Sequence, residues 1–203
     1  MIKHKSFSHG WWYHYRLHED KSERLCDNGL APLKLFLDDV FTNCPDEKFL
    51  TGPRSSKLRV PLIADVKDAR GHEVCSLAKR AHAPRTMSRH STVEMHMLER
   101  DTKSLAVEVP LWLDMHEHEL MTHCDEPGPL SGHIDVLRVD DGKVWVWDYK
   151  PNAAKEKHAA LQVYAYAVML SQRTNLPLDS FRCGWFDEKD AFLFDPKTAR
   201  LVR

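Results

Sequence analysis

The chain contains no Cys-x-x-Cys pair, and its five cysteines (Cys26, Cys44, Cys75, Cys124 and Cys183) are scattered and odd in number. This pattern suits a reducing compartment better than a small disulfide-stapled secreted domain. Long apolar runs are missing too. None approaches the roughly 20 residues that cross a bilayer, and the opening "MIKHKSFSHG" lacks the apolar stretch of a secretory signal. The expectation is a soluble protein of the cytoplasm, or of the host cytoplasm for a viral source, with no membrane partner. Charge of one sign is absent: 29 Lys and Arg face 30 Asp and Glu, for a net charge of -1. Such a chain has no global basic field to attract nucleic acid, so any binding surface must come from local patches or metal ions. No G-x-x-x-x-G-K-[ST] occurs, so no ATP is expected, and no G-x-S-x-G occurs, which removes the usual serine-hydrolase elbow. Repeats and low-complexity tracts are also absent.

What is present is enough for a sizeable core: 203 residues, 42% of them hydrophobic. "LAPLKLFLDDVF" (30–41) spaces Leu33, Phe36, Leu37 and Val40 as a helix does, and "NCPDEKFLTGPRSSK" (43–57) reads as loop. Residues 1–30 and 58–85 show no clear period. "SRHSTVEMHMLERD" (88–101) predicts a helix capped by Ser88 or Ser91. "SLAVEVPLWL" (104–113) predicts a strand whose proline favours an edge or a bulge. "KEKHAALQVYAYAVMLSQR" (155–173) is the clearest helix, and "FRCGWFDEKDAFLF" (181–194) suggests two short strands. The expected fold class is mixed α/β, a core sheet flanked by helices. Residues 1–87 read as an N-terminal extension packed on a core of 88–203.

The unusual stretch is "GHIDVLRVDDGKVWVWDYKP" (132–151). Two strand-like runs flank a D-D-G hairpin signal, yet Asp135, Asp148 and Lys150 interrupt them. Side chains alternate along a strand, so Asp148 and Lys150 share one face while Trp145, Trp147 and Tyr149 take the other. A tight turn sets Asp135 roughly opposite Asp148. Opposed carboxylates repel unless they share a proton or a cation, and they are natural hard ligands for Mg²⁺ or Mn²⁺. A bare D-x-K at a strand end is more often a simple salt bridge.

Four ordered segments change that weighting. "GHID", "WDYK", "QVYAY" and "HMLE" with "AVEVPL" resemble the motifs of the PD-(D/E)XK nuclease superfamily, most closely its RecB-type branch with the CRISPR-associated exonucleases. The resemblance covers about 88–194. It implies a restriction-endonuclease-like core and a Mg²⁺- or Mn²⁺-dependent deoxyribonuclease, more often an exonuclease, leaving a 5′-phosphate. It implies metal binding by Asp135, Asp148, the carbonyl of Tyr149 and a helical histidine or acid. Spacing favours His96 for the last role, with His90, Glu94 and Glu99 as rivals. Lys150 would act on the attacking water, and Gln162 and Tyr166 would position the DNA backbone or Lys150. Glu108 could add a contact, although an exposed strand acid is the plainer reading. The implied partner is DNA, with an oligomer or protein partner left open, and the implied setting is repair, recombination, phage replication or defence. A silent nucleic-acid-binding subunit of a larger complex is the alternative.

Other features weigh less. Some RecB-type nucleases hold an iron–sulfur cluster with three cysteines after the core; only Cys183 follows it here, so no cluster is expected. The basic stretch 79–90 offers Arg85 and Arg89 to phosphate, and His158 lies one turn before Gln162. His116, His118, His123 and Cys124 match no strong zinc pattern, and a solvated hairpin is preferred. The aromatics of "HGWWYHYRLH" (9–18) are expected to pack on the core rather than stack bases.

Overall fold

The fold is given by a computed structural model that describes residues 1–82, 87–124 and 126–202. The chain opens with strands β1 (Ile2–Ser8) and β2 (Trp12–His18), then helices α1 (Glu19–Leu25) and α2 (Ala31–Asn43). Two short strands, β3 (Leu62–Ile63) and β4 (Lys67–Asp68), precede α3 (Glu73–Arg80) and α4 (Arg89–Arg100). The long strands β5 (Ser104–Leu113), β6 (Leu130–Asp140) and β7 (Lys143–Tyr149) follow. Helix α5 (Ala159–Thr174) leads to β8 (Phe181–Phe186), β9 (Ala191–Phe194) and β10 (Arg200–Leu201).

Eight strands form one mixed sheet in the order β1-β2-β5-β6-β7-β8-β9-β4, while β10 and β3 pair separately. Strands β7 and β8 run parallel, so a crossover must join them, and α5 is that crossover. This is the mixed α/β architecture expected from sequence. Residues 1–87, read there as an extension, supply β1, β2 and β4 to this same sheet. Phe7, Tyr15, Leu33 and Leu37 share one apolar cluster with Val163, Ala167 and Phe181. A second cluster, between α3, α4 and the sheet, gathers Val74, Val93, Met97, Trp147 and Phe186.

Local rules explain most elements. Helix α2 buries Leu33, Phe36, Leu37 and Val40, the stripe its period predicts. Ser88, not Ser91, caps α4: its side chain accepts the Ser91 N–H. The D-D-G turn is a two-residue loop closed by the Asp140–Lys143 pair, with Asp141 (φ 48°) and Gly142 (φ 67°) both left-handed. That is the geometry whose twist suits a hairpin. Helix α5 begins at Ala159, four residues later than expected, because Ala153–Lys155 forms a 3₁₀ turn first.

Two expectations are corrected, and a third is decided between its alternatives. Of the edge or bulge expected for strand β5, the edge is ruled out, since the strand lies inside the sheet, and a bulge-type register shift is present. Pro110 is tolerated there because the β2–β5 ladder covers only Ala106 and Val107. The strand's irregularities fall at its Ser104–Ala106 register shift and at Glu108, whose φ is 52°. Trp11 and Trp12 do not pack inward; they are 76% and 64% exposed at the β1–β2 turn, while Tyr15 is buried. Around His118 the chain forms a 3₁₀ turn rather than a hairpin, with the imidazole accepting the Leu120 N–H. Among the described residues no helix is long and apolar enough to cross a membrane.

Candidate active site

The β6–β7 ladder ends at the Val136–Trp147 pair, so Asp135 and Asp148 sit together just beyond its last rung. Asp135 Oδ2 accepts the peptide N–H of Tyr149 at 2.7 Å. Lys150 shares the Asp148 face, and its Nζ lies 2.7 Å from Asp148 Oδ2. The Tyr149 side chain takes the opposite face, where its hydroxyl donates to Glu188 at 2.7 Å. Helix α5 crosses above. Gln162 and Tyr166 are four residues apart and therefore share a face. Gln162 Nε2 donates to the Tyr166 hydroxyl at 2.8 Å and reaches Asp148 Oδ1 at 3.4 Å. Gly132 allows this approach. A Cβ there would come within 2.5 Å of the Tyr166 ring and 2.4 Å of Ser55 Oγ.

Helix α4 closes the other side with His90 and Glu94. His90 Nε2 lies 3.0 Å from Glu94 Oε1 and 3.1 Å from Asp135 Oδ2. His96 does not join them. It lines a separate surface depression with His82, Glu99 and Arg100. The helical period explains this: residues 90 and 94 are about 40° apart around the axis, whereas 96 lies about 240° from 90. The stripe Val93, Met97 and Leu98 faces the core, and Glu94 is buried beside it. Glu99, the other rival, faces outward with His96.

The remaining members come from far away in sequence. Tyr13, Arg54, Ser55, Ser56, Glu108 and His133 line the same cleft as Asp135, Asp148, Lys150, Gln162 and Tyr166. The cleft has a volume of about 170 Å³, room for a phosphate group and water. Glu108 is thus not an exposed strand acid. Its left-handed backbone at φ 52° is a conformation that a non-glycine residue adopts at a cost of about 1–3 kcal/mol. The other expected substrate contacts lie elsewhere. Arg89 is committed to the carbonyls of Ala78 and Ala81 and to Glu188, where it ties α3 to α4. His158 is exposed at the start of α5, outside the cleft lining. Arg85 lies outside the described residues.

The electrostatics are those of crowded acids. Burial and the Asp135 charge push Asp148 up to about 8, against the pull of Lys150. Burial and the Glu94 charge push Glu108 up to about 9. Burial also raises Glu94, although His90 opposes it. Burial would raise Asp135 as well, but the His90 charge and hydrogen bond outweigh it and hold this carboxyl low. His90 in turn is held protonated chiefly by the Asp135 charge. Burial disfavours the Lys150 charge, but Asp148 and Asp135 outweigh it and raise the ammonium. Tyr166 is raised by burial and by both aspartates, so its hydroxyl keeps its proton.

A divalent cation fits this donor set. Carboxylate oxygens and an imidazole nitrogen of His90, Glu94 and Asp135 lie within 4.8 Å of one another. Asp148 Oδ2 and Glu94 Oε1 are buried oxygens, and the partners they have are cationic: Lys150 Nζ at 2.7 Å and His90 Nε2 at 3.0 Å. Crowded buried carboxylates of this kind need compensating positive charge, and a hard cation suits their oxygens. A cation held by all these donors must displace the protons on Asp148, Glu108 and His90. These carboxyls are raised, so they favour the metal-free fold most at low pH, and that contribution is lost as pH climbs through about 8 and 9. Mn²⁺ affinity is therefore expected to rise steadily from about pH 6 to about pH 9, with about one or more protons released near pH 7. Calorimetry in two buffers of different ionisation enthalpy measures both; a flat affinity over that range would contradict the arrangement.

Sequence reasoning had a signal for Glu94 in the i, i+4 pairing of His90 with a residue on the apolar stripe. It had none for Arg54, Ser55 or Tyr13, which only the folded sheet brings to the cleft. No curated protein matches the chain. The family model of the PD-(D/E)XK nuclease superfamily matches residues 13–202, and that span includes both the first-half residues of the cleft and the acids of β6 and β7. Members of this superfamily generally use divalent metal ions, in keeping with the donor set above. With nearly the whole chain matched and a mixed eight-stranded sheet of restriction-endonuclease-like type, the chain belongs to the PD-(D/E)XK nuclease superfamily.

Proposed function

We propose that the protein is a Mg²⁺- or Mn²⁺-dependent deoxyribonuclease of the RecB-type branch that hydrolyses phosphodiester bonds as an exonuclease. The observation that carries this reading is the convergence of Asp135, Asp148, Glu94 and Glu108 with His90 and Lys150 in one cleft. A salt bridge needs one acid per cation; here four carboxyl groups meet two direct ion-pair partners.

In this reading Asp135 and Asp148 hold the cation, with Glu94, Glu108, His90 and the Tyr149 carbonyl as further donors. When bound, the cation supplies positive charge to the phosphate and acidifies water. Lys150 is charged, so it serves as a donor that orients water and stabilises developing negative charge rather than as a base. Gln162 fixes Asp148 and Tyr166 and keeps the α5 wall in register. Cleavage leaves a 5′-phosphate by analogy with the family, and the product fits repair, recombination, phage replication or defence.

The test uses labelled linear and covalently closed circular DNA with Mn²⁺, Mg²⁺ or EDTA. Metal-dependent loss of linear DNA alone supports the exonuclease. Cutting of circles keeps the chemistry but makes the enzyme an endonuclease. DNA bound in EDTA with no cleavage under any metal would replace the reading with a silent binding subunit.

A further inference from the structure

One feature of the cleft is not explained by the acids. Arg54 lines it, half-buried, and makes no ion pair with any of the four carboxyl groups among the described residues. Its Nη2 donates to the Tyr13 hydroxyl at 2.9 Å and to His133 Nδ1 at 3.1 Å. Its Nη1 is buried and has no hydrogen-bond partner among the described residues. The contacts continue away from the cleft. His133 Nε2 lies 2.9 Å from His9 Nδ1, and His9 Nε2 lies 3.0 Å from Asp46 Oδ1.

The direction of this chain follows from its first member. A guanidinium has donors and no acceptor. His133 Nδ1 must then accept, so its proton sits on Nε2 and is donated to His9 Nδ1. The His9 proton sits on Nε2 and is donated to Asp46. Both rings are clamped in plane. His133 stacks on Tyr13 with centroids 3.6 Å apart, and His9 stacks on Phe49 at 3.8 Å. The whole path is thus fixed in both tautomer and orientation, which surface histidines are not.

We propose that Arg54 contacts a backbone phosphate of the nucleic-acid substrate, and that His133 and His9 are positioning residues which hold its guanidinium in the cleft. The proposal rests on the nuclease reading above and deepens it. Arginine offers paired donors that match phosphate oxygens, and here one side of the fork is held by protein while the other has no protein partner among the described residues. A cation held off the carboxylates by a dedicated chain is available to substrate, whereas Lys150 is engaged with Asp148. The same chain argues against a metal at His9, Cys44 and Asp46, whose ligand atoms also cluster. Metal on His9 Nε2 would force its proton to Nδ1 and turn the chain round, leaving an N–H of His133 facing an N–H of Arg54.

The experiment measures KM and kcat on a single-stranded oligonucleotide, oligonucleotide affinity across a salt series, and Mn²⁺ affinity. Arg54→Ala is expected to raise KM about tenfold with Mn²⁺ affinity unchanged, and to lower the slope of log K against log salt by roughly 0.7. His133→Ala should raise KM by a smaller factor, and His133→Gln should restore it, because glutamine can accept from Arg54 and donate to His9 at once. In the Arg54→Ala background His133→Ala should add nothing to KM, since its effect runs through Arg54. Circular dichroism and thermal melting establish that each variant is folded, and Arg54→Lys, which keeps charge but loses the fork, should give an intermediate KM. A wild-type KM and salt slope in Arg54→Ala, with Lys150→Ala inactive, would overturn this inference and leave the nuclease reading standing. Additive effects of the two alanine substitutions would overturn the positioning role. A wild-type protein that neither binds nor cuts nucleic acid would overturn both.

Discussion

Lys150→Ala is expected to lower kcat by about 10³-fold at saturating metal while leaving the fold intact. The side chain is 24% exposed, and its partner within ion-pair distance is Asp148. Removing it takes a charge from the cleft, not a block from the core. Asp148 answers by holding its proton more firmly, since its carboxyl already sits at about 8 with Lys150 in place. That response limits the cost in stability. It also weakens metal binding at neutral pH, so the rate must be read at a metal concentration that saturates the variant. Thermal melting within a few degrees of wild type, together with lost cleavage of labelled DNA, is the expected pair of results. A rate within a few-fold of wild type would remove Lys150 from the chemistry.

The largest expected effect on stability lies on the neighbouring strand β6, toward the turn that joins it to β7. Arg138 is 1% exposed. Its Nε donates to Asp101 Oδ2 at 2.8 Å and its Nη2 to Glu73 Oε1 at 2.7 Å. Ser104 Oγ donates to the same Asp101 oxygen at 2.6 Å, and Lys103 bridges Glu73 and Asp140 at 2.9 and 2.8 Å. Arg138→Ala strands Asp101 without its cation in a dry site. Breaking a buried pair from one side costs about 3–5 kcal/mol, which for a domain of this size is roughly a 10 °C fall in Tm. Burial alone would raise Glu73 and Asp101, but their hydrogen bonds to Arg138 and Lys103 outweigh it and hold both low, Glu73 at about 2. Carboxyls depressed in this way stabilise the fold above their ordinary range and lose that contribution as pH falls through the folded values. Wild type should therefore lose stability as pH drops from about 4 toward about 2, and Arg138→Ala should show a shallower loss. Denaturant titration across that range measures it. Activity per folded molecule should be unchanged, because the network does not line the cleft. A variant as stable as wild type would mean that Asp101 and Glu73 find other partners.

These two residues also mark how far local patterning reaches. The D-D-G signal and the alternation of "VWVWDYK" are properties of about ten residues, and they suffice to set Asp135 beside Asp148 and to put Lys150 on the same face. Gln162 and Tyr166 share a face for an equally local reason, the helical period. None of these placements needs distant packing, because two backbone periods and one turn type determine them. The choice among His90, Glu94, His96 and Glu99 is of another kind. All four sit on one helix, and which of them meet Asp135 depends on which side of α4 rests on β5 and β6. The apolar stripe of Val93, Met97 and Leu98 decides that, and it turns His96 outward. Glu108 depended on a strand irregularity that its sequence does not announce. Pro110 drew the expectation of an edge or a bulge, and the irregularities lie before it, at Ser104–Ala106 and at left-handed Glu108.

The first half of the chain shows the same division at larger scale. Residues 1–30 carry no clean period, because β1 and β2 join the sheet beside β5 and alternate imperfectly, with Trp11 and Trp12 left exposed at their turn. Arg54 and Ser55 lie in a segment whose Pro, Gly and Ser content predicts only loop. Their place against Gly132, His133 and Tyr166 comes from long-range pairing, such as the bridge between Arg54 and Ser131. The sequence by itself determined the pairing of the β6 and β7 acids, the place of the lysine and the helix that faces them, since each is written in a local period. Only the tertiary structure decided which α4 side chains meet those acids and which first-half residues close the cleft. Contacts between residues some 80 positions apart leave no period in the sequence to read.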